Sequence, residues 1–277
     1  MIPIPLLLFF FQSADPAQLS QQGAQALRAQ RFNEAESAYR QLVKLDPANP
    51  MWRMNLGITL HSAGRYAEAV PELGQFVKSN PPPGPAHFLL GLSHLKLKQP
   101  CDAIGPLEKA VRWNRDQAQL ELADALYGCK RYGPAAKAYE AALTTTKKSP
   151  AVARQAAHCY WNARQYTDAK RLFTGLPVDD PTSQYEFGDT LVRLDGPAAG
   201  LAHLQSAAAS LLPARAELGK ALLALDRPAE ALPHLEAAAT ADPALLLPLS
   251  KALRAVGRTA EADAAQAEYK RKLTPDR

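Results

Sequence analysis

The chain has 277 residues, of which 47% are apolar and only 7% aromatic, with a formal net charge of +5 and 3 cysteines. An odd cysteine count excludes a complete disulfide framework. Basic residues are scattered rather than gathered into the stripe with stacking aromatics that a nucleic-acid surface needs, and the densest cluster, Lys270-Arg271-Lys272, reads as the solvated face of a last helix.

In chain order, the first feature is an apolar run from Ile2 to Phe11, followed by Gln12-Ser13-Ala14. It is too short to span a bilayer. It suits the apolar core of a secretory signal with cleavage near Ala14, so residues 1–14 are read as an export segment. No Lys or Arg precedes the run, and Pro3 and Pro5 are unusual in one, so an unstructured or mis-started N-terminus is the other reading. No cysteine lies near it to carry a lipid anchor. No later run is long and apolar enough for a transmembrane helix.

From Asp15 onward the chain is periodic. Gly23, Gly57 and Gly91 stand 34 residues apart, and so do Pro47 and Pro81. Ala35, Ala69 and Ala103 follow those glycines by 12 residues. Ala123, Ala157, Gly188, Gly219 and Ser250 then take the glycine's place at steps of 32, 34, 31, 31 and 31, giving 8 units. Leu194-Asp195-Gly196-Pro197-Ala198 and Leu225-Asp226-Arg227-Pro228-Ala229 match at an offset of 31. A fixed period of this size marks stacked copies of one small unit.

Each unit reads as two helices. Leu56 and Leu60, then Ala69, Leu73 and Phe76, recur at helical spacing around a break at Ala63-Gly64-Arg65. Leu225-Asp226-Arg227 and Val256-Gly257-Arg258 are equivalent breaks. Pro100, Pro197 and Pro228 suit the first turn of the following helix. Pro47, Pro81, Pro181 and Pro243 mark where second helices stop. The small residues let paired backbones approach where a bulky side chain would force them apart. Nothing alternates as a strand does.

The order of Leu56-Gly57, Gly64-Arg65-Tyr66, Ala69, Phe76 and Pro81 closely resembles the tetratricopeptide repeat, over essentially all of residues 15–277. The resemblance implies an all-α chain: a single repeat domain 15–277 forming a right-handed superhelical solenoid of about eight antiparallel helix pairs. The pentatricopeptide period is similar, but the Leu-Gly pairs and closing prolines favour the tetratricopeptide reading. Arg115 and Lys147 stand where a closing proline is expected, and the later units are shorter, which puts their tilt in question.

In that frame Cys101 begins the second helix of the third unit and Cys129 ends the first helix of the fourth. Those ends lie side by side in such a stack, so a Cys101–Cys129 bridge is one expectation for an exported chain. The other is that both are small buried hydrophobes.

No catalytic constellation emerges. The six histidines form no i, i+4 pair with a glutamate. His203 and His234 recur at one repeat position and read as packing or surface residues. Asp179-Asp180-Pro181 reads as a turn between units. No phosphate-binding glycine loop or Gly-x-Ser-x-Gly elbow is present. The expectation is no enzyme activity, no cofactor and no metal.

In the family, first helices line the concave face that binds partners. The lining positions implied are Met54, Ile58 and His61; Phe88, Leu92 and Leu95; Leu120, Asp124 and Tyr127; Arg154, His158 and Trp161; Tyr185, Asp189 and Val192; then Lys220, Lys251 and Arg254. This lining runs from apolar, through mixed, to basic. Some of these residues are equally read as packing between neighbouring first helices. The family's carboxylate clamp is not matched, because Ser20, Ala24, Asn55, Pro85 and Leu89 hold its positions.

The functional expectation is a non-catalytic scaffold binding a protein or extended peptide in its groove, with no nucleic acid and an oligomeric state left open. Alternatives are an accessory subunit or glycan-binding module of a cell-envelope system, and an RNA-binding helical repeat. The expected location is periplasmic or extracellular, or cytoplasmic if residues 1–14 are not a signal.

Overall fold

The structure is a computed structural model, described over residues 15–78 and 84–273. The export segment at residues 1–14 and Pro81 lie outside the described residues. Among the described residues the regular structure is helical, with one 3₁₀ turn, Pro243–Leu245, and no strand.

The helices fall into two compact units, one ending at Cys129 and one beginning at Lys130. The first holds α1 (Pro16–Arg28), α2 (Phe32–Leu45), α3 (Pro50–Ser62), α4 (Tyr66–Phe76), α5 (Gly84–Lys96), α6 (Pro100–Trp113) and α7 (Arg115–Gly128). The second holds α8 (Tyr132–Ala142), α9 (Pro150–Asn162), α10 (Tyr166–Thr174), α11 (Pro181–Asp195), α12 (Pro197–Ala208), α13 (Leu212–Ala224), α14 (Pro228–Ala239), α15 (Leu246–Ala255) and α16 (Thr259–Leu273). Each helix packs on its chain neighbour within its unit.

The break inside most pairs is a repeated backbone device. Gln30, Gly64, Lys98, Arg164, Asp226 and Gly257 all take a left-handed φ, between 57° and 82°. The next residue's N–H then returns to a carbonyl of the last helical turn: Arg31 to Ala26 at 2.8 Å, Arg65 to Leu60 at 2.8 Å, Gln99 to His94 at 2.9 Å and Arg258 to Leu253 at 2.9 Å. This is the bond that satisfies the orphan carbonyls at a helix C-terminus. Only two of these six turns use glycine. The other four carry a side chain in the left-handed region; Asp226 was still legible as a break, whereas Gln30, Lys98 and Arg164 hide the signal from a sequence reading keyed to glycine.

First and second helices begin differently. Several first helices have a side-chain cap. Asp15 accepts the Ala17 N–H at 3.0 Å, Asn49 the Met51 N–H at 3.0 Å and Asp180 the Ser183 N–H at 2.9 Å. Second helices start instead with an arginine paired to a glutamate three residues on: Arg31–Glu34, Arg65–Glu68, Arg227–Glu230 and Arg258–Glu261. Arg65 also reaches Glu36 on α2, and Arg258 reaches Glu236 on α14 at 2.9 Å, so the second-helix side carries ion pairs between successive pairs.

The core follows the period. Ala35, Ala69, Ala103, Ala135, Ala169, Ala231 and Ala262 are all fully buried at the position twelve past the small residue. Leu73, Leu107, Phe173, Leu204 and Leu235 fill the next turn. Gly91 shows how tight the pairing is: a Cβ there would lie 2.5 Å from Leu107 Cγ. A larger residue there has to move α6 away from α5.

Candidate functional site

Consecutive first helices touch one another. In the first unit α3 meets α5 and α5 meets α7; in the second α9 meets α11, α11 meets α13 and α13 meets α15. This contact gathers the first-helix side chains onto one face of each unit.

In the first unit that face carries half-buried Met54, Ile58, Phe88, Leu92 and Leu95, with half-buried Tyr127 and exposed Asp124 on α7. His61 is the polar exception. Its Nδ1 lies 2.8 Å from Ser93 Oγ, while the Ser93 hydroxyl donates to the Leu89 carbonyl at 2.8 Å. The ring therefore holds its proton on Nδ1 and donates it to Ser93. Tyr66 packs edge-on against the ring at 5.2 Å. Burial, with Lys96 adding, pushes His61 below the usual imidazole range, so it is neutral at physiological pH.

The second unit draws the mixed part of the lining into one network. Trp161 on α9 donates its indole N–H to Asp189 on α11 at 2.7 Å. Arg193 Nε lies 2.9 Å from both oxygens of the same carboxylate. The Arg193 guanidinium also sits 5.0 Å over the Tyr166 ring. One turn away, His158 Nδ1 lies 2.5 Å from Glu186 Oε1. Asn162 donates to the His158 carbonyl at 2.9 Å and meets its Nε2 at 3.1 Å, which places the donated proton on Nδ1. Tyr185 stands edge-on to Trp161 at 5.6 Å. Arg154 donates to the Pro177 carbonyl at 3.1 Å and lies 3.5 Å from Asp180, so the Asp179-Asp180 turn is also its anionic partner.

Burial divides these residues. Asp189 is 2% exposed and Glu186 is 3% exposed. A buried carboxylate is tolerable only with donors around it. Asp189, placed by the sequence in the lining, is instead spent inside the protein holding Trp161 and Arg193. Trp161, Tyr185, Arg154 and His158 are half-buried, and Lys220 is exposed. Lys251 and Arg254 are exposed as well, and Arg254 pairs with Asp263 at 2.5 Å.

Glu186, Arg193 and Tyr166 were not singled out from the sequence. The available signal was register: Glu186 and Glu217 both stand two residues before the small position, 31 residues apart. Tyr185 leads into a cavity of about 290 Å³ on the same unit, shared with Leu212, Ala216, Glu217, Lys220 and Asp242. Burial, reinforced by the Glu217 carboxylate, pushes the Tyr185 phenol up to about 12, so it remains a donor.

Away from this face, Cys101 at the start of α6 and Cys129 at the end of α7 are joined as a disulfide with Cα atoms 5.1 Å apart. Cys101 is exposed, so the buried-hydrophobe reading does not describe it. Cys159 is buried and takes no part in that bridge. His203 packs on Phe187 at 4.6 Å and meets Gln184 at 2.6 Å. Among the described residues no helix is long and apolar enough to cross a membrane.

A family model for the tetratricopeptide repeat matches residues 21–85, 62–115 and 88–152. Over 110 residues the chain is 34% identical to the type IV pilus assembly protein PilF of Pseudomonas aeruginosa. That match covers 38% of this chain and 44% of PilF, so the chain spans less than half the length of this relative. Among solved structures it is similar to MamA, with a TM-score of 0.51 at 19% identity over 65% of this chain and 95% of that one. It is similar to YrrB, a tetratricopeptide repeat protein with an unusual peptide-binding site, with a TM-score of 0.51 at 20% identity over 61% of this chain and 93% of that one. It is also similar to a chain of the Naa15/Naa10 complex bound to HypK, with a TM-score of 0.61 at 17% identity over 94% of this chain and 42% of that one. At these identities the likeness to solved structures concerns the fold alone.

Proposed function

We propose that this chain, which belongs to the tetratricopeptide repeat family, is a non-catalytic scaffold that binds an extended peptide or a partner protein along its first-helix face. The coarse part of this reading, a protein-interaction scaffold built of helical repeats, comes with the family. The finer part rests on one observation: the half-buried Trp161 ring is fixed from behind by the buried Asp189 carboxylate and packs edge-on to the half-buried Tyr185 ring at 5.6 Å. Aromatic side chains held rigid on one face lose little entropy when a partner covers them, which is why such residues dominate interface energetics.

We place the protein in an oxidising compartment outside the cytoplasm. The apolar run Ile2–Phe11 and the exposed Cys101–Cys129 bridge both support that setting, since structural disulfides persist mainly in exported proteins. The likeness to a pilus assembly protein favours a second, compatible reading: an accessory component of a cell-envelope assembly.

The test is position-specific cross-linking. A photoreactive residue is placed on the first-helix face at Leu92 or Lys251, and as controls on second helices at Lys137 or Glu236. Intact cells are irradiated and the adducts identified. The scaffold reading expects adducts to a common partner from the first-helix positions. Adducts arising only from Lys137 and Glu236 would move the partner to the opposite side and end this reading of the surface.

A further inference from the structure

The cavity on the second unit is amphipathic in a particular way. Its floor is apolar, formed by Ala216, Ala238 and Leu245. Leu212 is 39% exposed, a large apolar side chain left open at the mouth. At about 290 Å³ the space falls at the low end of small-molecule sites, which run from roughly 300 Å³ upward. It is therefore on the scale of one inserted side chain.

The rim is negative. Lys220 Nζ lies 2.5 Å from Glu217 Oε1, so those two charges largely cancel. Asp242 adds a further carboxylate, which accepts the Ala244 N–H at 2.9 Å through one oxygen. Behind it, the Tyr185 hydroxyl feels the carboxylates of Glu217, Asp189 and Glu186, opposed by Arg193. An acidic neighbour would meet this field unfavourably and a basic one favourably.

We infer that this cavity seats one large apolar side chain of the partner, aromatic or branched aliphatic, whose adjacent residue is a lysine or arginine that pairs with Asp242. The inference rests on the reading of the first-helix face as the partner surface, and Tyr185 joins the two: one edge of its ring meets Trp161 and the side chain walls the cavity. The apolar floor excludes the cation itself, because a desolvated charge there would have no partner. The cation stays at the rim, in water on one side and against the Asp242 carboxylate on the other.

The experiment titrates the isotope-labelled full chain by NMR with three blocked tetrapeptides: Gly-Phe-Lys-Gly, Gly-Phe-Glu-Gly and Gly-Ser-Lys-Gly. The expected result is tightest binding of the Phe-Lys peptide, with shifts centred on Leu212, Ala216 and Lys220. Ala216→Trp, which fills the cavity without adding charge, should weaken that peptide by roughly ten- to a hundredfold, the worth of burying one large apolar side chain. Asp242→Asn keeps the cap on Ala244 and removes only the charge. It should shrink the preference for Phe-Lys over Phe-Glu by about two- to fivefold, and it covers the case in which Ala216→Trp fails to fold.

Equal binding of the Phe-Lys and Phe-Glu peptides, an unchanged preference in Asp242→Asn, or no binding to the wild type at about ten millimolar overturns the inference. The wider reading fails separately. First-helix adducts without cavity shifts remove the cavity and keep the surface, whereas cavity shifts without first-helix adducts keep the cavity and remove the surface.

Discussion

Gly91 and Gly105 are both glycines inside helices, yet they do opposite things. Gly91, on α5, faces α6, and a Cβ there would meet Leu107 Cγ at 2.5 Å. Gly105, on α6, is exposed, and a Cβ there meets nothing within 4 Å. Gly91→Ala should therefore destabilise the first unit by about 1–3 kcal/mol through overpacking. Gly105→Ala should stabilise it by about 0.5–1 kcal/mol, because it relieves the entropy cost of a helical glycine. Paired thermal melts give the two signs directly, and two shifts of the same sign would refute the packing assignment. The periodic glycines were legible in the sequence because each is a packing constraint repeated at a fixed interval. Asp189 shows the limit of the same frame. Its register correctly put it on a first helix facing its neighbours, but register does not say whether the side chain opens to solvent. Trp161 and Arg193 decide that, and they come from the preceding first helix and one turn along.

At the scale of helices, the repeat frame put the start of α6 beside the end of α7, and the bridge Cys101–Cys129 occupies that place. The two cysteines are 28 residues apart in sequence, and closing a loop of that size constrains the unfolded chain by about 3–4 kcal/mol in the chain-entropy description. The double variant Cys101→Ser, Cys129→Ser should be less stable by about that much, which thermal melts read as a lower melting temperature. Denatured, unreduced wild type should expose a single titratable thiol, that of Cys159; three thiols would show that the bridge does not form. What the sequence concealed at this scale was how the helices start. Arg31, Arg65, Arg227 and Arg258 open second helices by pairing with a glutamate three residues on, not by a Ser, Thr, Asp or Asn cap. Exposed pairs of this kind are individually worth little, so nothing forces a uniform residue choice, and the signal is faint to a search for caps.

At the scale of the whole chain, the period predicted helix pairs throughout, and helix pairs run through both units. The division between Cys129 and Lys130 had no counterpart in the sequence reading, since the step across it, 34 residues from Ala123 to Ala157, is the same as the first two. Both units share one titration property. His61 and His87 in the first, and His203 and His234 in the second, are all held below the usual imidazole range, chiefly by burial. His87 is the extreme case: it is 6% exposed and its Nδ1 has no hydrogen-bond partner. A histidine depressed in the folded state takes up a proton more readily once unfolded. Its contribution to stability is therefore complete above the unfolded value near 6.5 and is lost as pH falls from there through the lower folded value. The melting temperature should be flat from about pH 8 to 7 and should fall between about pH 6.5 and 5, above the range where carboxylates titrate. His87→Gln, which does not ionise, should flatten that fall by one proton's share, while the neutral-pH stability changes for separate, packing reasons. A melting temperature constant down to about pH 5 would mean that these rings are protonated in the folded chain as easily as in the unfolded one, and that burial does not hold them neutral.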